Sequence, residues 1–263
     1  MKKMAKSVAI LAAMVLAAGL TACQKKAYAE GGNDQKAAAG KSGKQENDSK
    51  ARAQDASPYL FMDGTTVIGF KDGLPANILI PTGVTAIGEK AFYECKSLES
   101  VEIPDGVTTI GERAFSGCDS LTSVVIPDGV TTIGDSAFYS CESLENVVIP
   151  GSVKTIGKSA FSGCDSLTSV VIPEGVTEIG RLSGGDMTNG AFEYCESLES
   201  VEIPASVKTI GFGTFSKCKS LKEVKYAGTK AQWEAIKKGE TSFGDTVIGH
   251  GFIVTCTDGA IRL

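Results

Sequence analysis

Histidine is nearly absent from this 263-residue chain, which has His250 and no other. Ser-His-Asp and Cys-His catalysis both require an imidazole, and His250 sits between Gly249 and Gly251, a setting expected to leave it on the surface. Without a second histidine or any C-x-x-C pair, the eight cysteines have no partners to complete a zinc site. No phosphate loop or dinucleotide fingerprint occurs. Asp119, Glu142 and Asp165, each following a cysteine, read as a solvated repeat edge rather than an acid and base pair. Neither catalysis nor a cofactor nor a bound metal is expected. Clusters of Lys and Arg are also missing, and the chain is acidic, with 26 basic against 31 acidic residues. Such a surface repels phosphate backbones, which argues against a nucleic-acid partner. Aromatics reach only 7% while glycine numbers 31, so burial must rely on Val, Ile, Leu and Ala.

What is present begins with an address. Lys2, Lys3 and Lys6 precede an apolar run, 7–19, that is too short for a bilayer span and ends in Leu20-Thr21-Ala22-Cys23. This pattern reads as a signal peptide, 1–22, and its last four residues resemble the bacterial lipobox. The resemblance implies cleavage before Cys23, whose sulfur would carry diacylglycerol and anchor the chain to a membrane. Loss of the three lysines leaves a net charge of about −8. Residues 23–57 are rich in Lys, Ala, Gly, Gln and Ser and offer nothing to form a core, so they are expected to act as a tether. As a flexible coil the tether would span roughly 30 to 35 Å, and on the order of 110 Å fully extended.

From Ile80 onward one pattern recurs: I-P-x-x-V-x-x-I-G-x-x-A-F-x-x-C-x-S-L-x-x-V-x. Its copies open at Ile80, Ile103, Ile126, Ile149, Ile172 and Ile203, 23 residues apart except for one interval of 31, and Tyr226 opens a degenerate last unit. A fixed period of this length is the mark of a solenoid, here of six coils over 80–225. Val101 and Ile103 alternate as inward residues of one short strand per coil, and Pro104 ends that strand because it has no N–H to donate. Ala114, Phe115, Cys118 and Leu121 have helical spacing and predict a short helical turn with all four side chains inside. Cys95, Cys118, Cys141, Cys164, Cys195 and Cys218 then form a ladder of parallel side chains, held too far apart for disulfides.

This unit resembles the BspA-like branch of the leucine-rich repeats, and the likeness covers about 67–263. It implies an α/β leucine-rich-repeat solenoid exported to the bacterial surface. The expected ends are atypical, as caps should be. Tyr59, Leu60, Phe61, Val67, Ile68 and Phe70 are expected to cover the first coil from within 58–79. In 226–263, Thr229 to Gln232 reads as a capping box for a helix through Trp233 and Ile236, stopped by Lys237, Lys238 and Gly239. Strands over 252–256 and 260–263 would follow, joined at Asp258-Gly259.

The resemblance implies an adhesin-like module that binds a host, matrix or neighbouring-cell protein. The alternative is an envelope-associated scaffold for another envelope protein or a cell-wall glycan. Alternation along the strands aims Leu79, Glu102, Val125, Val148, Val171, Glu202 and Lys225 outward, edged by Ser123, Asn146 and Ser169. The first six are the candidate ligand-binding residues, because exposed apolar residues in successive coils form a contact stripe. An eight-residue insertion within 181–190 is the second candidate contact.

Overall fold

A computed structural model describes residues 54–182, 190–243 and 253–262. Cys23, His250, nearly all of the tether and most of the 181–190 insertion lie outside them. The described chain winds as a solenoid in which each coil contributes to three walls.

The first wall holds the strands expected from the alternation, in two five-stranded sheets. One runs from Gln54–Asp55 through Asn77–Leu79, Ser100–Glu102 and Ser123–Val125 to Asn146–Val148. The other runs from Ser169–Val171 through Ser200–Ile203, Glu223–Tyr226 and Ile253–Cys256 to Gly259–Arg262. Pairing between coils is parallel, with Val101 opposite Val124 and Val124 opposite Val147, and all three valines are buried. Equal residues meet because equal repeats stack without slippage.

The second wall was not foreseen. Each coil adds a two-residue strand, such as Thr109–Ile110 and Thr132–Ile133, to one nine-stranded sheet running from Leu60–Asp63 to Lys237–Lys238. The isoleucine points in and the residue before it points out. Glycine follows the isoleucine because adjacent coils approach closely there. A Cβ on Gly134 would lie 2.6 Å from the carbonyl carbon of Gly111.

The third wall corrects the expected helical turn, for no helix forms between Ala114 and Leu121. Left-handed residues bracket the segment instead: Arg113 and Gly117 in one coil, Ser136 and Ser140 in the next. The backbone thereby aims alternate N–H groups along the solenoid axis. Arg113, Phe115 and Gly117 donate to the carbonyls of Asp135, Ala137 and Tyr139 at 2.7 to 2.9 Å, and Ser136, Phe138 and Ser140 donate in turn to Lys158, Ala160 and Ser162. Every such bond runs from a coil to its successor, whereas an α-helix would have spent these donors within its own coil. The inward residues are those named from the sequence, since helical and bracketed turns both return every third or fourth side chain to one side.

Along this wall the phenylalanines stack as one column from Phe70 to Phe243, with centroids 5.0 to 5.6 Å apart from Phe92 onward and 6.2 Å between Phe70 and Phe92. The insertion leaves this column intact, since Phe161 and Phe192 remain 5.2 Å apart. Beside it run six cysteines, Cys95 to Cys218, buried and free as is Cys256 in the closing hairpin. The thiols of Cys118, Cys141 and Cys164 donate to the carbonyls of Phe92, Phe115 and Phe138 in the preceding coil, at 3.2 to 3.3 Å. Thr214 fits at the alanine position because its hydroxyl donates to the Gly211 carbonyl at 2.9 Å.

Both ends differ in part from expectation. Gln54–Asp55 pairs with Asn77–Leu79, and Ala56 is fully buried, so the folded body takes in residues assigned to the tether. Composition hid this because backbone pairing needs no apolar side chain. Leu60 and Val67 cover the first coil, but Phe61 and Ile68 are exposed on the outer face of the antiparallel hairpin. At the other end the capping box forms and opens the helix Lys230–Ala235. Lys237 and Lys238 follow its end as a second-wall strand while the Lys238 ammonium donates to the carbonyls of Trp233 and Ile236, and Gly239 and Phe243 continue the glycine and phenylalanine columns. The closing hairpin pairs Cys256 with Gly259, so its turn is Thr257-Asp258 rather than Asp258-Gly259. Trp233 is buried, edge-on to Tyr226, with the Lys238 ammonium 4.7 Å from its ring.

Candidate functional site

The outward column of the first wall is built by strand alternation alone. The residue after each buried Ile or Val of these strands points outward, and several of them stand opposite their counterparts in the next coil. Leu79 pairs with Glu102, Val125 with Val148, Val171 with Glu202, and Glu202 with Lys225. Val125 is 50% exposed and Val148 and Val171 are half-buried. The column is not one uninterrupted ladder. No strand pairing joins Asn146–Val148 to Ser169–Val171, so Val171 belongs to the second sheet while Val125 and Val148 share the first.

A polar row flanks the valines. Ser123, Asn146 and Ser169 occupy the opposing edge, and in the same row the Ser100 hydroxyl donates to the Asn77 side-chain oxygen at 2.6 Å. Charge is distributed unevenly along the wall. Towards the carboxyl end Lys222 pairs with Glu199 at 3.1 Å, and Lys225 reaches Glu202 and Glu223 at 3.6 and 3.4 Å. Towards the amino end Glu102 has no such partner among the described residues. The wall therefore offers an apolar centre, an acidic end and an internally neutralised end. Such a face can bury apolar contact area and steer a cationic partner. An open depression of about 310 Å³ lies beside the amino-terminal hairpin, lined by residues such as Ser57, Met62, Thr65, Pro81 and Thr82, and no titratable side chain lines it.

Among the described residues no group of three or more His, Cys, Asp or Glu is placed to hold a metal ion. Burial pushes the thiols up, Cys141 to about 12 and Cys164 and Cys195 well above the ordinary value. They are protonated inward groups rather than nucleophiles. The acidic column beside them is less passive than a solvated edge. Partial desolvation first, then Glu196 and Glu142, raise the carboxyl of Asp165, while Lys96 and Lys219 pair with Asp119 and Glu196 at its two ends.

Sequence reasoning missed the tyrosines of the third wall. Tyr93, Tyr139 and Tyr194 are 42%, 45% and 49% exposed. The two positions between Phe and Cys carried the signal, since Tyr there alternates with Ser-Gly along the repeats.

A family model described as "BspA type Leucine rich repeat region" matches residues 70–183 and 185–238 in six copies. Among solved structures, the chain is similar to a leucine-rich-repeat protein of T. pallidum, at 30% identity and a TM-score of 0.60, covering 72% of this chain and 99% of that one. It is also similar to a leucine-rich cell surface protein of Faecalibacterium prausnitzii, at 26% identity and a TM-score of 0.39, covering 62% of this chain and 63% of that one. No curated protein matches.

Proposed function

The chain belongs to the family of BspA-type leucine-rich-repeat proteins, and on that premise we propose that it is a surface-displayed module whose first wall binds a protein partner. The observation that carries this reading is the outward column Leu79, Glu102, Val125, Val148, Val171 and Glu202. Apolar side chains stand outward in three neighbouring coils there, Val125 exposed and Val148 and Val171 half-buried, as one apolar stripe. A solenoid presents such a face as an extended surface without a deep pocket. Export and a lipid on Cys23 complete the reading, with the partner a host, matrix or neighbouring-cell protein.

The test is a triple variant, Val125→Thr, Val148→Thr and Val171→Thr, assayed on immobilised fibronectin and fibrinogen. Threonine keeps the β-branch, so melting should change little, while binding should weaken at least tenfold, about 1.4 kcal/mol. Undiminished binding would remove the first wall as the contact face and leave the 181–190 insertion. Protease treatment of intact cells separates the adhesin from an envelope-internal scaffold, because a shielded chain resists cleavage. For the anchor, Cys23→Ser should abolish palmitate labelling, and labelling that survived would refute the lipid assignment.

A further inference from the structure

The third wall carries a second exposed feature that the first-wall reading does not use. Tyr93 and Tyr139 occupy one repeat position two coils apart, and Tyr194 follows two coils later, shifted by one residue within its coil. The intervening coils carry Ser116-Gly117 and Ser162-Gly163, and both serines are buried. The relief is thus a raised ring, a notch, a raised ring, a notch and a raised ring. The stacked phenylalanines beneath fix the pitch, at 5.0 and 5.2 Å for the two steps from Phe92 to Phe138, so the raised positions repeat at about 10 Å. At the first notch Gly117 takes a left-handed backbone, with φ of +74°, and carries no side chain beside Glu94.

Charge narrows the occupant. Lys90 pairs with Glu89 at 3.0 Å, Arg113 with Glu112 at 3.2 Å and Lys219 with Glu196 at 2.6 Å, so these cations along the wall are already matched by carboxylates of the protein. The strip complements an uncharged polar chain better than a polyanion. A ligand for it needs flat apolar faces for the rings, hydroxyl or amide groups for the tyrosine hydroxyls and serines, and a linear repeat equal to two coils. A β-1,4-linked hexose chain has these properties. Alternate pyranose rings present the same face, and two rings span about the rise of two coils. We propose that Tyr93, Tyr139 and Tyr194 form a stacking ladder for an extended, uncharged β-1,4-linked glycan on the third wall, apart from the first-wall column of the protein-binding reading. Each tyrosine would take one ring face, with the intervening ring over the notch.

The experiment uses the full chain and two probes of equal ring number, chitohexaose and an α-1,6-linked glucose hexamer, measured by calorimetry. Chitohexaose should bind and the α-1,6 hexamer should bind at least tenfold more weakly, since its flexible linkage cannot hold the two-coil repeat. Tyr93→Phe, Tyr139→Phe and Tyr194→Phe together should retain binding within about threefold, because the rings remain. The corresponding triple alanine variant should lose at least tenfold while its melting stays close to that of the native chain. The valine-to-threonine triple should leave the glycan titration unchanged. No uptake of chitohexaose, equal uptake of both hexamers, or full binding by a folded triple alanine variant would each overturn the proposal. None of these results bears on the first-wall reading, which is tested on protein probes.

Discussion

The third wall and the first wall are cut from the same coils, yet one is nearly invariant along the solenoid and the other is not. Inside the third wall each ring and thiol packs against its own copy, so Phe92, Phe115, Phe138, Phe161, Phe192 and Phe215 repeat and any other residue would break the column on both sides. On the outside of the first wall the neighbour is water. Leu79, Glu102, Val125, Val148, Val171, Glu202 and Lys225 therefore drift from apolar to acidic to basic. Stacking enforces sameness where side chains meet copies of themselves, and sameness facing solvent, as in the three valines, carries information of another kind.

The most forceful way to break that contrast is to charge the buried column. Burial raises the thiols of Cys118, Cys141, Cys164 and Cys195, with Cys141 at about 12, whereas an unfolded cysteine titrates near 8.5. The folded state binds these protons more tightly, so stability is level below about pH 8.5 and falls as pH rises from there towards the folded values. Each such thiol contributes a loss of about 1.4 kcal/mol per pH unit. Urea midpoints should hold steady to about pH 8 and collapse between roughly pH 9 and 11. Cys141→Ala with Cys164→Ala should flatten the decline, and an unaltered slope would disprove the assignment. A smaller but still severe change is Phe138→Ala, which deletes a ring between two neighbours 5.2 Å away and should cost about 3 to 5 kcal/mol by chemical denaturation. A cost under about 1 kcal/mol would mean that the column closes over the gap.

Gly134→Ala sharpens the contrast from the second wall. The added Cβ would press into the backbone of Gly111, which belongs to a paired coil and cannot swing aside as a side chain could. The expected loss is about 1 to 3 kcal/mol, and a neutral result would show that coil spacing is softer than the stacked rings imply.

Much of this was legible in the repeat. Val101, Ile110, Ala114, Phe115, Cys118 and Leu121 all point inward, since periodic apolar residues report burial whatever backbone carries them. The backbone itself was less legible. Spacing of three and four suits a helix, and the sequence does not reveal that Arg113 and Ser136 adopt left-handed conformations that send their N–H groups to the next coil. The second wall escaped notice because two residues per coil are too few for alternation to show. Phe243 could have been found, for Gly239-Glu240-Thr241-Ser242-Phe243 repeats the G-x-x-A-F unit with serine in place of alanine. The candidate contact column followed from strand alternation, while the tyrosine ladder needed the coil pitch, which no single coil contains.

The smallest expected effect lies where the stack ends and a coil has a neighbour on one side only. The Thr229 hydroxyl accepts a bond from the Gln232 backbone at 3.3 Å, and the Thr229 backbone N–H donates to the Gln232 side-chain oxygen at 2.8 Å, closing the box that opens Lys230–Ala235. The same helix start is tied to the closing hairpin, because the Lys230 backbone donates to the Asp258 carboxylate at 2.9 Å. Thr229→Ala removes the acceptor at the cap and should cost about 1 kcal/mol. A six-residue helix has little cooperativity of its own, so the loss should appear as faster amide exchange in Lys230–Ala235 and in the hairpin it holds. Coils around Val124 are bonded to neighbours on both sides and touch none of these groups, so their protection should hold. Each coil of a solenoid responds mainly to its neighbours, which makes locality the decisive readout. An equal fall in protection at Val124 and at Lys230 would mean that the chain unfolds as one unit, and the difference between stacked interior and open end would then be one of packing without consequence for stability.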